Sequence, residues 1–182
     1  MRIRLRPAYS PEELSRIYAT PHRHHQWQDH RLRVAMTIAF ASHFGEVDAA
    51  ADLSAGDATI INSIAAKNRY IGDFAPGYEF QGAIDETIDL IPSVDLYICS
   101  ETIEHLDDPE STLRKIRAKT KAIIVTTPDG ENNSSNPEHY WGWDTEGVRE
   151  LLENCGFSPV IFSRIDFVNP ASTYNYQIWG CL

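Results

Sequence analysis

Cysteine is scarce in this chain. There are three in 182 residues, Cys99, Cys155 and Cys181. The number is odd and the spacing matches no metal-ligand pattern, so the three are expected as buried thiols in a reducing compartment, the cytoplasm. Long apolar runs are absent too. Nothing reaches the length that spans a bilayer, and the charged start Arg2-Ile3-Arg4-Leu5-Arg6 leads into no apolar segment, so neither a membrane helix nor a leader is expected. Basic residues are short: 16 Lys and Arg stand against 26 Asp and Glu, a net charge of −10. Binding to a polyanion needs a basic surface, so nucleic acid is not an expected partner, although a local basic patch stays open. A full Gly-x-Gly-x-x-Gly is missing as well. Ser54-Ala55-Gly56-Asp57-Ala58-Thr59 does not supply it, which argues against a nicotinamide-dependent dehydrogenase, and no length remains for a substrate domain.

What is present is ordinary globular material, 42% hydrophobic and 23% charged, expected as one domain over 1–182 with an N-terminal helical and lid segment over 1–45. The organising stretch runs from Ala49 to Ala66. Ala49 to Leu53 is short and apolar and contains Asp52. Ser54 to Asp57 is a small-residue turn, and Ile60, Ile61, Ile64 and Ala65 recur at helical spacing. Strand, tight turn and helix in that order bring backbone N–H groups close to a ligand.

Along the chain, Ser10-Pro11-Glu12-Glu13 is a helix start with a serine cap, proline at the first position and glutamate three residues on. Pro21 to Arg31 is dense in histidine. It reads as a metal tract, as a lid over a ligand with Trp27, His30 and Arg31 facing inward, or as a solvated loop; a metal is disfavoured because no cysteine or carboxylate cluster accompanies it. Leu32, Ala35, Met36, Ala39 and Phe40 then form a helical face ending at Gly45. Asn68 to Phe74 reads as a second strand whose Asp73 lies roughly twenty residues beyond Asp52, the spacing of an acid that accepts from a ribose diol. Only Pro76-Gly77 separates it from a third short strand at Tyr78–Gly82, so the usual crossover helix is expected to be missing. Val94–Cys99 and Ala122–Thr127 are buried strands, the latter stopped by Pro128. A polar loop from Glu131 to Trp143 carries aromatics at its end. Asp144 caps a last helix, and two β runs, Pro159–Phe162 and Tyr174–Trp179, should pair antiparallel because the loop between them is too short for a crossover.

These segments together resemble the class I S-adenosylmethionine-dependent methyltransferases over nearly the whole chain. The resemblance rests on Asp52-Leu53-Ser54-Ala55-Gly56-Asp57-Ala58, set against that family's acid-x-Gly-x-Gly-x-Gly turn, and on Ser100-Glu101-Thr102-Ile103-Glu104-His105-Leu106, set against its Glu-x-x-Glu-His-Leu segment. Thr126-Thr127-Pro128 and Trp143-Asp144 fit it as well. It implies a three-layer α/β/α Rossmann-like fold, with a mostly parallel sheet and an antiparallel last strand. It implies S-adenosylmethionine as cofactor, with Asp52 at its amino-acid end and Ser54, Ala55 and Gly56 beneath it. Asp73 would take the ribose, Ile84 and Asp85 would flank the adenine, and Ser100 and Glu101 would lie near the sulfonium. Two motif glycines are replaced, by Ser54 and Ala58. The acceptor of the methyl group would be a small molecule or a nucleotide.

Methyl transfer needs alignment, and a base only where the nucleophile holds its proton. His105, Glu104 and His139 are the candidates for that work, and Tyr140, Trp141 and Trp143 could stack on an acceptor or plug the last helix. If a helix starts at Glu101, then Glu101, Glu104 and His105 share a face. With His139 they are similar to the Mg- or Mn-binding set of the small-RNA 2′-O-methyltransferases, although the rest of those enzymes' downstream motif is not convincingly present. Many small-molecule members of the same superfamily carry Glu-x-x-Glu-His-Leu with the histidine packed structurally. A catalytically silent binding module of the same fold is the rival from another class.

Overall fold

The computed structural model describes residues 1–19, 28–133, 136–168, 172 and 174–182. Its centre is a seven-stranded sheet. The strands are β2 (Val47–Asp52), β3 (Ala66–Asp73), β4 (Phe80–Gln81), β5 (Val94–Ser100), β6 (Thr120–Asp129), β8 (Pro159–Ile165) and β9 (Asn175–Cys181), ordered β4-β3-β2-β5-β6-β9-β8. The first five pair in parallel, and β9 runs antiparallel to both β6 and β8. The terminal antiparallel pair and the antiparallel last strand are as expected.

Strand alternation sends side chains to two separate cores, because successive residues of a strand point to opposite faces. From β5 and β6, Leu96, Ile98, Ala122 and Ile124 pack on one face with Phe40 and Ala41 of α2 (Gln28–Ser42) and with Ile60 and Ile61 of α3 (Thr59–Asn62). Tyr97, Cys99, Ile123 and Val125 pack on the other, under Leu113 and Ile116 of α5 (Pro109–Lys119) and Val148, Leu151 and Leu152 of α6 (Thr145–Asn154). Sheet strands buried on both faces read as continuous apolar runs, which is why they were visible in the sequence. The result is the three-layer α/β/α arrangement. The three cysteines are buried free thiols. Among the described residues no helix is long and apolar enough to cross a membrane.

Local chemistry sets the element ends. The expected capping box forms at α1 (Pro11–Ile17): Glu13 N–H donates to Ser10 Oγ and Ser10 N–H to Glu13 Oε2. Asp144 caps α6 by accepting from Gly147 N–H at 2.8 Å. Asp144→Ala is expected to lose about 1 kcal/mol, the usual worth of an N-cap, read as a lower urea midpoint with an unchanged slope.

Three expectations need correction. The helix after the small-residue turn is a single turn, Thr59–Asn62, although Ile64 beyond it is still buried. α2 buries Asp29, His30, Arg33, Thr37, Phe40 and Ala41, while Leu32 is 44% exposed. The inward face of this helix is therefore partly polar, and an apolar count misplaces it. Pro128 does not stop β6, which continues to Asp129. Beyond Thr126 the strand pairs only with β9, so no ladder bond to β5 is lost at the proline. Trp141 and Trp143 belong to β7 (Trp141–Trp143), which pairs antiparallel with β1 (Arg2–Arg4). Trp143 is 1% exposed, and the Arg2 guanidinium lies 4.2 Å from the centre of the Trp141 ring. The two indoles clasp the chain's start to the base of α6, the plugging role that the sequence left open beside stacking on an acceptor. The missing helix between β3 and β4 is as expected, and β4 is shorter than Tyr78–Gly82.

Candidate active site

Because β2, β3, β5 and β6 are parallel, Asp52, Asp73, Ser100 and the end of β6 arrive at one edge of the sheet. Open α/β sheets bind ligands at that edge. Here it holds a cavity of about 820 Å³. All nine residues that the resemblance assigns to the cofactor line it: Asp52, Ser54, Ala55, Gly56, Asp73, Ile84, Asp85, Ser100 and Glu101. His30, Arg31, His105, His139 and Tyr140 line its other part. Trp27 falls outside the described residues, and Glu104 lies behind the wall, fully buried.

The turn after β2 is held from below. Asp52 Oδ1 accepts from Ser54 N–H at 3.0 Å and from the Ser54 hydroxyl at 3.3 Å. Gly56 N–H donates to Asp73 Oδ2 at 2.8 Å, Ala55 N–H donates to Gly72 O at 3.0 Å, and the Tyr78 hydroxyl donates to Gly56 O. The N–H groups of residues 54, 55 and 56 are thus spent within the protein, contrary to the expectation that the turn offers them to a ligand. Gly56 and Ala58 both take positive φ, at 56° and 58°. Asp85, beside Ile84 at the start of α4 (Ile84–Thr87), accepts from the Thr112 hydroxyl at 2.9 Å and pairs with Lys115 at 2.8 Å.

Burial pushes the Asp52 carboxyl up to about 7, against the pull of the Ser54 N–H. Glu101 stands at φ 52°, a conformation that costs a non-glycine residue free energy. No helix starts there. A 3₁₀ turn follows at Ile103–His105, so Glu101 does not share a face with Glu104 and His105. Its Oε1 instead accepts from the Thr126 hydroxyl at 3.2 Å and lies 4.0 Å from Arg33 Nε. Burial raises the Glu101 carboxyl, and the Arg33 charge opposes that.

Arg33 was not anticipated. Its side chain is 6% exposed, and it donates to the Ser100 hydroxyl at 2.5 Å and more weakly to Thr126 Oγ1 at 3.4 Å. Its signal was present but weak, a cation four residues before Thr37 in a helix that also carries Asp29, His30 and Arg31. The other unforeseen residue is Glu131, whose Oε2 lies 2.7 Å from His139 Nδ1. No local pattern announces it.

Glu104, His105 and His139 each bring one ligating atom within 4.8 Å of the others. Glu104 Oε2 accepts from the Thr127 hydroxyl at 2.9 Å, while its Oε1, 3.9 Å from His105 Nε2, is buried without a hydrogen-bond partner. His105 Nδ1 faces the Glu138 carbonyl at 3.0 Å. Burial holds the Glu104 carboxyl well above the usual range, and the charge of Glu101 adds to it.

No protein-family model matches the sequence, and no curated protein matches it in sequence either. Solved structures do match in shape. The Burkholderia thailandensis 1,6-didemethyltoxoflavin-N1-methyltransferase, with that compound and S-adenosylhomocysteine bound, superposes with a TM-score of 0.68 at 15% identity, over 97% of this chain and 91% of that one. The N-methyltransferase NodS of Bradyrhizobium japonicum, with S-adenosylhomocysteine, gives 0.68 at 10% identity, over 93% and 96%. The Synechocystis magnesium protoporphyrin IX methyltransferase, with S-adenosylmethionine, gives 0.62 at 12% identity, over 93% and 89%. In sheet order, in its antiparallel last strand and in superposition, this chain has the class I S-adenosylmethionine-dependent methyltransferase fold.

Proposed function

We propose that the protein is an S-adenosylmethionine-dependent methyltransferase acting on a small-molecule or nucleotide acceptor. The observation that carries this reading is that one cavity is lined both by Asp52, Asp73 and Ser100 and by His105, His139 and Tyr140. In this reading Asp52 accepts from the cofactor's ammonium group. Arg33, the buried cation beside Ser100, takes its carboxylate. Asp73 accepts from the ribose diol through lone pairs not used by Gly56 and Ala75, and Ile84 and Asp85 border the adenine.

Methyl transfer is then an in-line displacement. The acceptor's lone pair forms the new bond to the methyl carbon as the carbon–sulfur bond breaks, and its electrons go to sulfur. The cavity's work is to align the three atoms and keep water out. An acceptor O–H or N–H loses its proton to His105 or His139.

Glu104, His105 and His139 also fit a divalent transition-metal ion such as Mn. They form a two-histidine, one-carboxylate set, and the buried Glu104 Oε1 lacks a hydrogen bond. Bound there, the ion would lower the pKa of an acceptor hydroxyl. Glu101 is not included, because its carboxylate is committed to Arg33 and Thr126.

Calorimetric titration with S-adenosylhomocysteine, with and without Mn²⁺, tests both parts. One-to-one binding is expected, together with a separate Mn²⁺ isotherm that Glu104→Ala removes. No S-adenosylhomocysteine binding under either condition would overturn the assignment.

A further inference from the structure

We infer that Glu131 is a positioning residue that fixes the tautomer of His139 and so decides which ring nitrogen carries the proton and which keeps its lone pair for the reaction. The inference rests on the proposed use of His139. Its evidence is the arrangement behind that ring. Glu131 Oε2 stands 2.7 Å from His139 Nδ1, with the two side chains 7% and 4% exposed. An ionised carboxylate can only accept, so Nδ1 carries the proton and Nε2 keeps its lone pair. The ring also meets His105 in a T-shaped contact, with centroids 4.8 Å apart, in the cluster that includes Glu104. A carboxylate on one nitrogen of an imidazole, with the other nitrogen turned toward a cation or a proton, is how both metal-binding and basic histidines are oriented.

The backbone holds Glu131 in this place. Gly130 N–H donates to Trp143 O at 2.7 Å. A Cβ on Gly142 would sit 1.7 Å from the Glu131 carbonyl oxygen, so glycine is required for β7 to pass so close. β7 is also the strand that His139 and Tyr140 run into, and the acid and the imidazole are therefore set against one rigid strand. Glu131 Oε1 is buried without a hydrogen-bond partner. A brace for the loop alone would not need a carboxylate desolvated to that extent, because a neutral amide could accept the same bond.

The tautomer can be read directly from long-range ¹H–¹⁵N correlation spectra of the histidine rings at pH 8. In the unaltered protein the His139 proton is expected on Nδ1. In Glu131→Leu it should move largely to Nε2, and Mn²⁺ affinity should fall about 10- to 100-fold, as for other outer-shell partners of a ligand histidine. S-adenosylhomocysteine affinity should stay within about twofold, since Glu131 is not among the residues lining the cavity. Glu131→Gln, which keeps an acceptor, should lie between the two and serves if the leucine variant fails to fold. A proton on His139 Nε2 in the unaltered protein overturns the inference. So does an unchanged tautomer in Glu131→Leu. Absence of Mn²⁺ binding would remove the metal from the proposed function while the tautomer still decides the role of Glu131.

Discussion

Asp52→Ala is expected to weaken S-adenosylhomocysteine binding about 100-fold while leaving the domain folded. Asp52 is 2% exposed, ends the central strand β2 and faces the cavity. Losing one partner of a buried charged hydrogen bond costs about 2–5 kcal/mol, and 1.4 kcal/mol is tenfold in affinity. Burial also dictates a pH dependence. The carboxyl titrates near 7 in the free protein. The cofactor's ammonium favours the ionised form, so below about pH 7 binding must first displace a proton. Affinity should therefore fall as pH drops through 7, approaching tenfold per unit on the acid side. Asp52→Asn, which cannot ionise, should bind weakly with a flat profile over the same range. Calorimetry at several pH values reads both effects, and circular dichroism checks the fold. Unchanged affinity in a folded Asp52→Ala protein would sink the placement of the cofactor.

Arg33→Met should destabilise the protein by about 3–5 kcal/mol, the cost of leaving one member of a buried ion pair alone. Arg33 and Glu101 are both largely buried, and their charges face each other at 4.0 Å. Methionine keeps much of the arginine's stem, so lost packing contributes little. Adding Glu101→Gln should restore most of the loss, because the uncompensated carboxylate goes with it. Urea denaturation of the four proteins forms a double-mutant cycle, expected to show a coupling above about 1 kcal/mol. Additive losses would mean that Arg33 acts through its bonds to Ser100 and Thr126 alone. The single variant should also bind S-adenosylhomocysteine more weakly, as the proposed loss of the carboxylate's partner requires.

The sequence by itself determined the layered architecture, for a local reason. Strands buried on both faces must be apolar throughout, so Val94–Ser100 and the start of β6 stand out. Helix starts need a side-chain acceptor, so Ser10 and Asp144 stand out too. The short link at Pro76-Gly77 removed a crossover helix, and the short tail loop forced an antiparallel pair, both from chain reach alone. Asp52, Asp73 and Ser100 were legible because parallel strands deliver their last residues to one edge.

What lies between the strands was decided by tertiary structure. Reading Glu101, Glu104 and His105 as one helical face failed because Glu101 takes a positive φ and only a 3₁₀ turn follows it, while its carboxylate faces Arg33, from a helix 67 residues upstream of Ser100. The apolar count along α2 missed Arg33 because a helix that walls a polar cavity need not turn an apolar face inward. Whether Trp141 meets an acceptor or plugs the last helix was open until β1, from the other end of the chain, laid Arg2 and Arg4 across it. Glu131 and His139 are only eight residues apart. Their contact still depends on Gly142 letting β7 pass against the Glu131 carbonyl. In each case the deciding partner is a buried charge or a close backbone approach, made by a segment whose position follows from packing and not from local periodicity.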